Sequence, residues 1–251
     1  MQVRRRKLLL GGAAIGAATV MTPGWAQNFP SKPVRWIIPF APGGNYDVTS
    51  RLVGELMGRK LGQTVLADNR PGAGGVIGLE AAVAAPADGY TVVMGSFSVM
   101  WIAPYMAGKP PMVPLFAPIS LLTTVPTLIV TRADSRFGDI KAAFAEAKAK
   151  PGTVSIGHPG NGTTNHIAIL RLQVNENLKF NVIPYRGSGP GLADLMAGQI
   201  DLYADQLTTS LPHIRAGKLR PLLALGADRI AQLPDVPSLK DIGSQPFDGG
   251  T

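Results

Sequence analysis

Cysteine is absent from the 251-residue sequence. That excludes disulfides, thiolate catalysis and thiolate-bound zinc. Histidine is scarce: only His158, His166 and His213 occur, and none stands in a metal-binding spacing such as H-E-x-x-H. The Walker pattern is missing, and so is G-x-G-x-x-G, which Gly187-Ser188-Gly189 approaches before failing at Leu192. The G-x-S-x-G elbow of α/β hydrolases is broken at Gly95-Ser96-Phe97-Ser98-Val99. Only 16% of residues are charged, and no basic helix or basic–aromatic stripe offers a nucleic-acid surface. The formal charge of +8 draws on Arg4, Arg5, Arg6 and Lys7; residues 1–26 hold no acid, and the rest carries 20 Lys and Arg against 16 Asp and Glu, a net +4. The expectation is no catalytic residue, metal, cofactor or nucleic-acid partner. A mildly positive body fits an acidic small ligand, and equally an ordinary soluble surface.

Glycine and proline are plentiful, at 30 and 22, in a chain that is 45% hydrophobic. This predicts many short connections in one large domain or two lobes. The basic run, the weakly apolar Leu8–Met21 and the small residues before Ala26 read as an export signal cleaved after Ala26. Its arginines approximate a twin-arginine signal. The apolar run is short for a membrane span.

The organising stretch is Pro39–Asp47, PFAPGGNYD. A buried strand over 34–38 precedes it, and a helix with Val48, Leu52 and Leu56 or Val53, Met57 and Leu61 at helical spacing follows. Strand, glycine turn and helix N-terminus together make a natural anion seat. They also make an ordinary tight turn, with Asn45 or Asp47 as the helix cap. Beyond it, strands near 64–67 and 90–94 alternate with a small-residue helix over 76–85, predicting a largely parallel sheet with ligands at the strands' carboxyl ends, Gly95–Ser98 included. Residues 101–118 show no clear element. A strand at 127–131 and a helix opened by Asp139 follow. The opening pattern then returns: a strand at 153–157, the loop His158–Thr164, and a helix through Ile167, Leu170 and Val174. Further strands are expected at 180–184, 200–204 and 219–225, and helices through Leu192 and Leu195 and over 207–216. His166 either touches a ligand or is structural. Arg186 either clamps a carboxylate or pairs with Asp194 or Asp205; Asp205 either accepts an amine or hydroxyl or caps the next helix.

The runs SKPVRWIIPFAPGGNYDVTSRL, DNRPGAGGVIGLEAA, ADGYTVVMGS, SIGHPGNGTTNHIA, VIPYRGSGPGLADLMAGQIDLYAD and LPDVPSLKDIG resemble the substrate-binding proteins of tripartite tricarboxylate transporters, the Bug proteins. The resemblance spans the chain after the signal. It implies an α/β periplasmic binding protein of the two-lobed, type II Venus-flytrap kind. Lobe 1 is expected over 27–124 plus 219–251, lobe 2 over 125–218, with hinges near Thr127 and Leu219. The resemblance also implies a small carboxylate gripped by backbone N–H groups of two facing loops, and membrane permease subunits as partners. Carried over, the ligand-binding positions are Pro39, Phe40, Ala41, Gly43, Gly44 and Asp47, then Ser96, then Gly162, Thr163, Thr164 and His166, then Tyr185, Arg186, Gly187 and Asp205. Family members continue past the position of Thr251, so the first lobe is expected to be incomplete, with exposed apolar surface. The alternatives are a ligand-sensing adaptor for a signalling partner and a secreted α/β hydrolase. A hydrolase would need Ser96 and His166 for turnover.

Overall fold

The structure, a computed structural model, describes residues 29–247. The export signal expected at 1–26 and the last residues of the tail fall outside that range. The chain opens with β1 (Val34–Ile38), a β-branched and aromatic segment buried along almost its whole length. α1 (Asn45–Leu61) follows and stops at Gly62, whose left-handed φ of 65° suits a helix end. β2 (Val65–Asn69) and β3 (Thr91–Val93) flank β1 in parallel, in the order β2-β1-β3, with α2 (Val76–Val83) between them. Trp36, Ile38, Phe40, Tyr46, Val76 and Leu79 form the core of this first sheet.

Of the two stripes expected on α1, Val53 and Met57 face that core. Val48, Leu52 and Leu56 lie outside, 45–62% exposed. Glycine decides the inner face: a Cβ on Gly54 would come within 3.2 Å of Val65, and one on Gly58 within 3.0 Å of the Gln63 carbonyl. The helix therefore settles on β2 through its smallest side chains. Residues 101–118 are more regular than expected. A π-helical turn at Ser98–Ile102 runs into α3 (Ala103–Met106), where Pro104 occupies a first-turn position that needs no amide.

The second sheet is built from β4 (Thr127–Arg132), β5 (Ser155–His158), β6 (Asn181–Pro184), β7 (Leu202–Gln206) and β8 (Leu219–Ala224). Their order is β6-β5-β7-β4-β8. β5 runs parallel to β6 and β7, whereas β4 is antiparallel to β7 and β8. The sheet is thus mixed, not largely parallel. α4 (Ile140–Ala149) and α5 (Thr164–Glu176) pack on one face, over Ile129, Ile156, Leu202 and Ala204; α6 (Ser188–Met196) and α7 (Leu207–Arg215) pack on the other, over Leu128, Val130 and Tyr203. Alternate residues of each central strand serve opposite faces, as the pleat requires. Asp139 caps α4 as expected, accepting the Ala142 amide at 2.8 Å. α5 turns differently from its expected stripe. Ala168, Ile169 and Leu172 are buried, while Leu170 and Val174 reach the surface.

The segment 219–247 does not return to the first sheet. β8 pairs with β4, and Leu225 and Leu239 join the core of the second sheet, with Ile242 and Phe247 packed against it. The reason is register. β8 supplies the antiparallel neighbour that β4 lacks on one side, and the Ala224–Ser238 bridge then ties the following loop to it. Residues 117–126 carry the chain between the sheets, ahead of Thr127; Leu219 joins α7 to β8 inside the second lobe and crosses nothing.

Candidate ligand-binding cleft

Four helix N-termini meet where the two lobes touch. β1 delivers Pro39 and Phe40; the chain turns at Gly43, with φ 81°, and extended Gly44 caps α1. The caps expected from Asn45 or Asp47 do not form, because both residues lie inside the helix. Asp47 instead braces the loop from behind: Oδ2 accepts the Gly43 amide at 3.0 Å, and Oδ1 accepts from Arg51 and Asn69, each at 2.9 Å. Burial raises its proton affinity, but these bonds outweigh it and hold the carboxyl below the usual range.

Thr163 caps α5. Its hydroxyl donates to the Gly160 carbonyl at 2.7 Å and receives the His166 amide at 3.4 Å. Behind this loop His158 and His166 stack with ring centroids 4.4 Å apart. The Gly162 amide donates to His166 Nδ1 at 3.2 Å. Burial depresses both imidazoles; His158, with His166 beside it, is lowered to about 3. α6 begins after Gly187, whose φ of 138° favours glycine. α7 is capped by Gln206, which donates to Asn165 Oδ1 at 2.8 Å, while Asn165 holds the Ala204 carbonyl at 3.0 Å.

These ends enclose one cavity. Gly44, Asn45 and Tyr46 line it from α1, and Thr163, Thr164 and Asn165 from α5. Ser188 comes from α6 and Gln206 from the cap of α7; Phe40, Ser98, Val99 and Pro159 complete the wall. No charged side chain lines it. It has about 20 Å³ for the centres of water-sized groups, room for one or two such groups. Each helix end brings unpaired amides and the positive end of its dipole. The Tyr46 hydroxyl is buried without a partner. Burial raises its pKa well above the ordinary phenol value, an effect tempered by neighbouring Ser96.

Of the residues expected to bind ligand, Phe40, Gly44, Thr163 and Thr164 line the cavity. Pro39, Gly43, Asp47, Gly162 and Gly187 shape the loops behind it. Ala41 and Arg186 meet across the cleft through main chain only, the Ala41 amide donating to the Arg186 carbonyl at 3.0 Å; the Arg186 side chain is exposed. Tyr185, not Arg186, takes Asp194, at 2.8 Å, and burial together with that carboxylate pushes its phenol up to about 12. Asp205 is wholly buried and off the wall. Its Oδ2 accepts the Thr209 and Ser210 hydroxyls at 2.6 Å, within the first turn of α7, whose cap position is held by Gln206. Ser96 is bonded to Ser98 at 3.1 Å. His166 also lies off the wall, with its Nδ1 taken by the Gly162 amide. No hydrogen bond joins a serine hydroxyl to an imidazole among the described residues. Asn45, Tyr46, Ser98, Asn165, Ser188 and Gln206 were not expected. Their one common signal in the sequence is adjacency to a strand end or helix start.

Two α/β lobes with a cleft ringed by helix N-termini define a bilobal solute-binding receptor. Residues 49–249 match the family model described as the tripartite tricarboxylate transporter family receptor, and the chain belongs to that family. It is 35% identical over 249 residues to BugT of Bordetella pertussis, spanning 96% of this chain and 75% of that protein. It superposes on the periplasmic binding protein BugD with a TM-score of 0.79 and 30% identity, over 88% of this chain and 78% of that one. The TM-score is 0.77, at 28% identity, with MatC from Rhodopseudomonas palustris solved with bound malate, over 86% and 74% of the two chains.

Proposed function

We propose that this protein is exported, captures a small organic carboxylate between its lobes and hands it to membrane subunits of a tripartite transporter. The observation that carries this is the convergence of four helix N-termini on a cavity without a charged side chain. First-turn helix amides there lie in a positive field, and Tyr46 adds a hydroxyl with no geometric hydrogen bond among the described residues, which suits an anion and disfavours a cation. The lobes move about residues 117–126, and the ligand favours the closed arrangement by bonding to both. MatC, a structural neighbour solved with malate bound, supports the ligand class.

A thermal-shift screen against mono-, di- and tricarboxylates tests it. A ligand at about a hundredfold excess over its dissociation constant stabilises the native state by about 2.7 kcal/mol. A melting temperature raised by one class of acid is the expected result. If no carboxylate raises it while amines or neutral sugars do, the assignment is wrong.

A further inference from the structure

On both flanks of the cavity the lobes meet backbone to backbone, and glycine makes this possible. On one flank a Cβ on Gly162 would stand 2.5 Å from the Ala103 Cα, and one on Gly74 would overlap the Asn161 carbonyl. On the other flank a Cβ on Gly189 would overlap the carbonyl oxygen of Pro42 and stand 4.0 Å from the Gly43 Cα. All three of its nearest neighbours belong to the opposite lobe. Three bonds span the same seam: Ala41 amide to Arg186 carbonyl at 3.0 Å, Thr208 hydroxyl to Asn45 Oδ1 at 2.7 Å, and Thr164 to Ser98 at 3.0 Å.

We infer that Gly189 sets how closely the lobes shut and thereby which lengths of acid the protein retains. The inference rests on the reading of the cleft as a carboxylate seat. Gly189 separates closure from folding. It sits near the start of α6, its φ is not in the left-handed region, and its own lobe crowds it nowhere. A methyl group there suits the helix better than hydrogen does. Its one conflict is with Pro42 in the closed arrangement. Holding the lobes apart by even a fraction of a bond length stretches the three seam bonds, which tolerate little lengthening. The cavity as it stands has room for one or two water-sized groups, so any acid enters by a slight parting of the lobes; a short one must be reached from both sides at once and loses donors when the gap widens further. A longer acid still bridges the gap.

The test compares Gly189→Ala with the unaltered protein and with Gly138→Ala, where an added Cβ meets nothing within 4 Å. Affinities for malate and for adipate are measured by calorimetry, alongside the radius of gyration from X-ray scattering. The expected result for Gly189→Ala is an unchanged helix signal, a larger radius, and malate affinity reduced about tenfold against about threefold or less for adipate, a scale set by losing one or two hydrogen bonds. Gly138→Ala leaves both affinities in place. An unchanged ratio of the two affinities overturns the inference, whether both acids are kept or both are lost alike. Loss of the helix signal also overturns it, because the methyl would then conflict within its own lobe. If neither acid nor any other carboxylate binds the unaltered protein, it is the carboxylate reading itself that fails.

Discussion

Replacing Tyr46 by phenylalanine separates the two roles of that side chain by sign. The ring is core: it is 6% exposed and meets Phe40 edge-on at a centroid distance of 4.8 Å. Phenylalanine retains those contacts. The hydroxyl is buried with no geometric hydrogen bond among the described residues, and Ser96 lies beside it, so folding strips its water and returns at most that weak contact. Leaving a buried polar group unsatisfied costs about 1–3 kcal/mol, and Tyr46→Phe should recover part of that. Taking about 1 kcal/mol as the recovered part, the melting temperature rises by about 2–4 °C for a chain of this size. Binding should move the other way. If the hydroxyl donates to a bound carboxylate, losing a bond to a charged group costs about 1.5–3 kcal/mol, which is about ten- to a hundredfold in dissociation constant. Scanning calorimetry on the free protein and titration calorimetry with the best acid from the screen read the two effects independently. A melting temperature lowered by several degrees would show that the hydroxyl is bonded in the folded protein. Unchanged affinity would show that it does not reach the ligand. Either result refutes the assignment of Tyr46 as a poised donor.

The interior of α5 can be tested by contrast: Leu172→Ala should cost about 2–5 kcal/mol in urea denaturation, while Val174→Ala, on the exposed face, should stay within about 0.5 kcal/mol. Asp205 is buried and its carboxyl is raised, because desolvation outweighs the bonds from Ser188, Ser210 and Thr209. A raised folded pKa means that the native state holds its proton longer, so the stability it contributes falls as pH rises above the ordinary carboxylate range. Asp205→Asn should flatten that part of the stability–pH profile, which thermal melts from pH 4 to 8 would show. Asp201 should behave oppositely. Burial raises its carboxyl, but the Ser155 amide and hydroxyl and Arg136 outweigh that and lower it; its stabilisation is present at neutral pH and lost on acidification through the lowered value. Asp201→Asn should therefore lower the melting temperature at pH 7 and narrow its difference from the unaltered protein below pH 3.

Much of the frame was legible before any coordinates. The strand over 34–38, the Gly43–Gly44 turn and the cap at Asp139 are local, and local chemistry dictates them. The faces of α1 and α5 were harder to read. On α1 two apolar stripes competed, and the decision fell to Gly54 and Gly58, which carry no hydropathy signal. The cavity wall was half legible. Phe40, Gly44, Thr163 and Thr164 follow from each strand–loop–helix unit taken alone. Asn45, Tyr46, Ser188 and Gln206 depend on four helices pointing at one place, which spacing along the chain does not encode. Asp47 and Asp205 were expected at the ligand because each sits beside a helix start; Asp47 bonds Gly43, Arg51 and the sequence-distant Asn69, and Asp205 bonds the Thr209 and Ser210 hydroxyls, contacts that spacing does not announce. β8 was expected in the first lobe, but the open side of β4, a long-range pairing, captures it.

The stacked His158–His166 pair makes acid resistance unequal between the site and the molecule. In the folded state burial, with His166 beside it, lowers His158 to about 3, so the ring stays neutral through the mildly acid range. The unfolded chain takes up that proton from about pH 6.5 downward. Each further pH unit therefore shifts the balance toward unfolding by about 1.4 kcal/mol for this one buried ring. The proton that the stacked pair refuses therefore appears as lost stability on acidification, not as a charge beside the cleft.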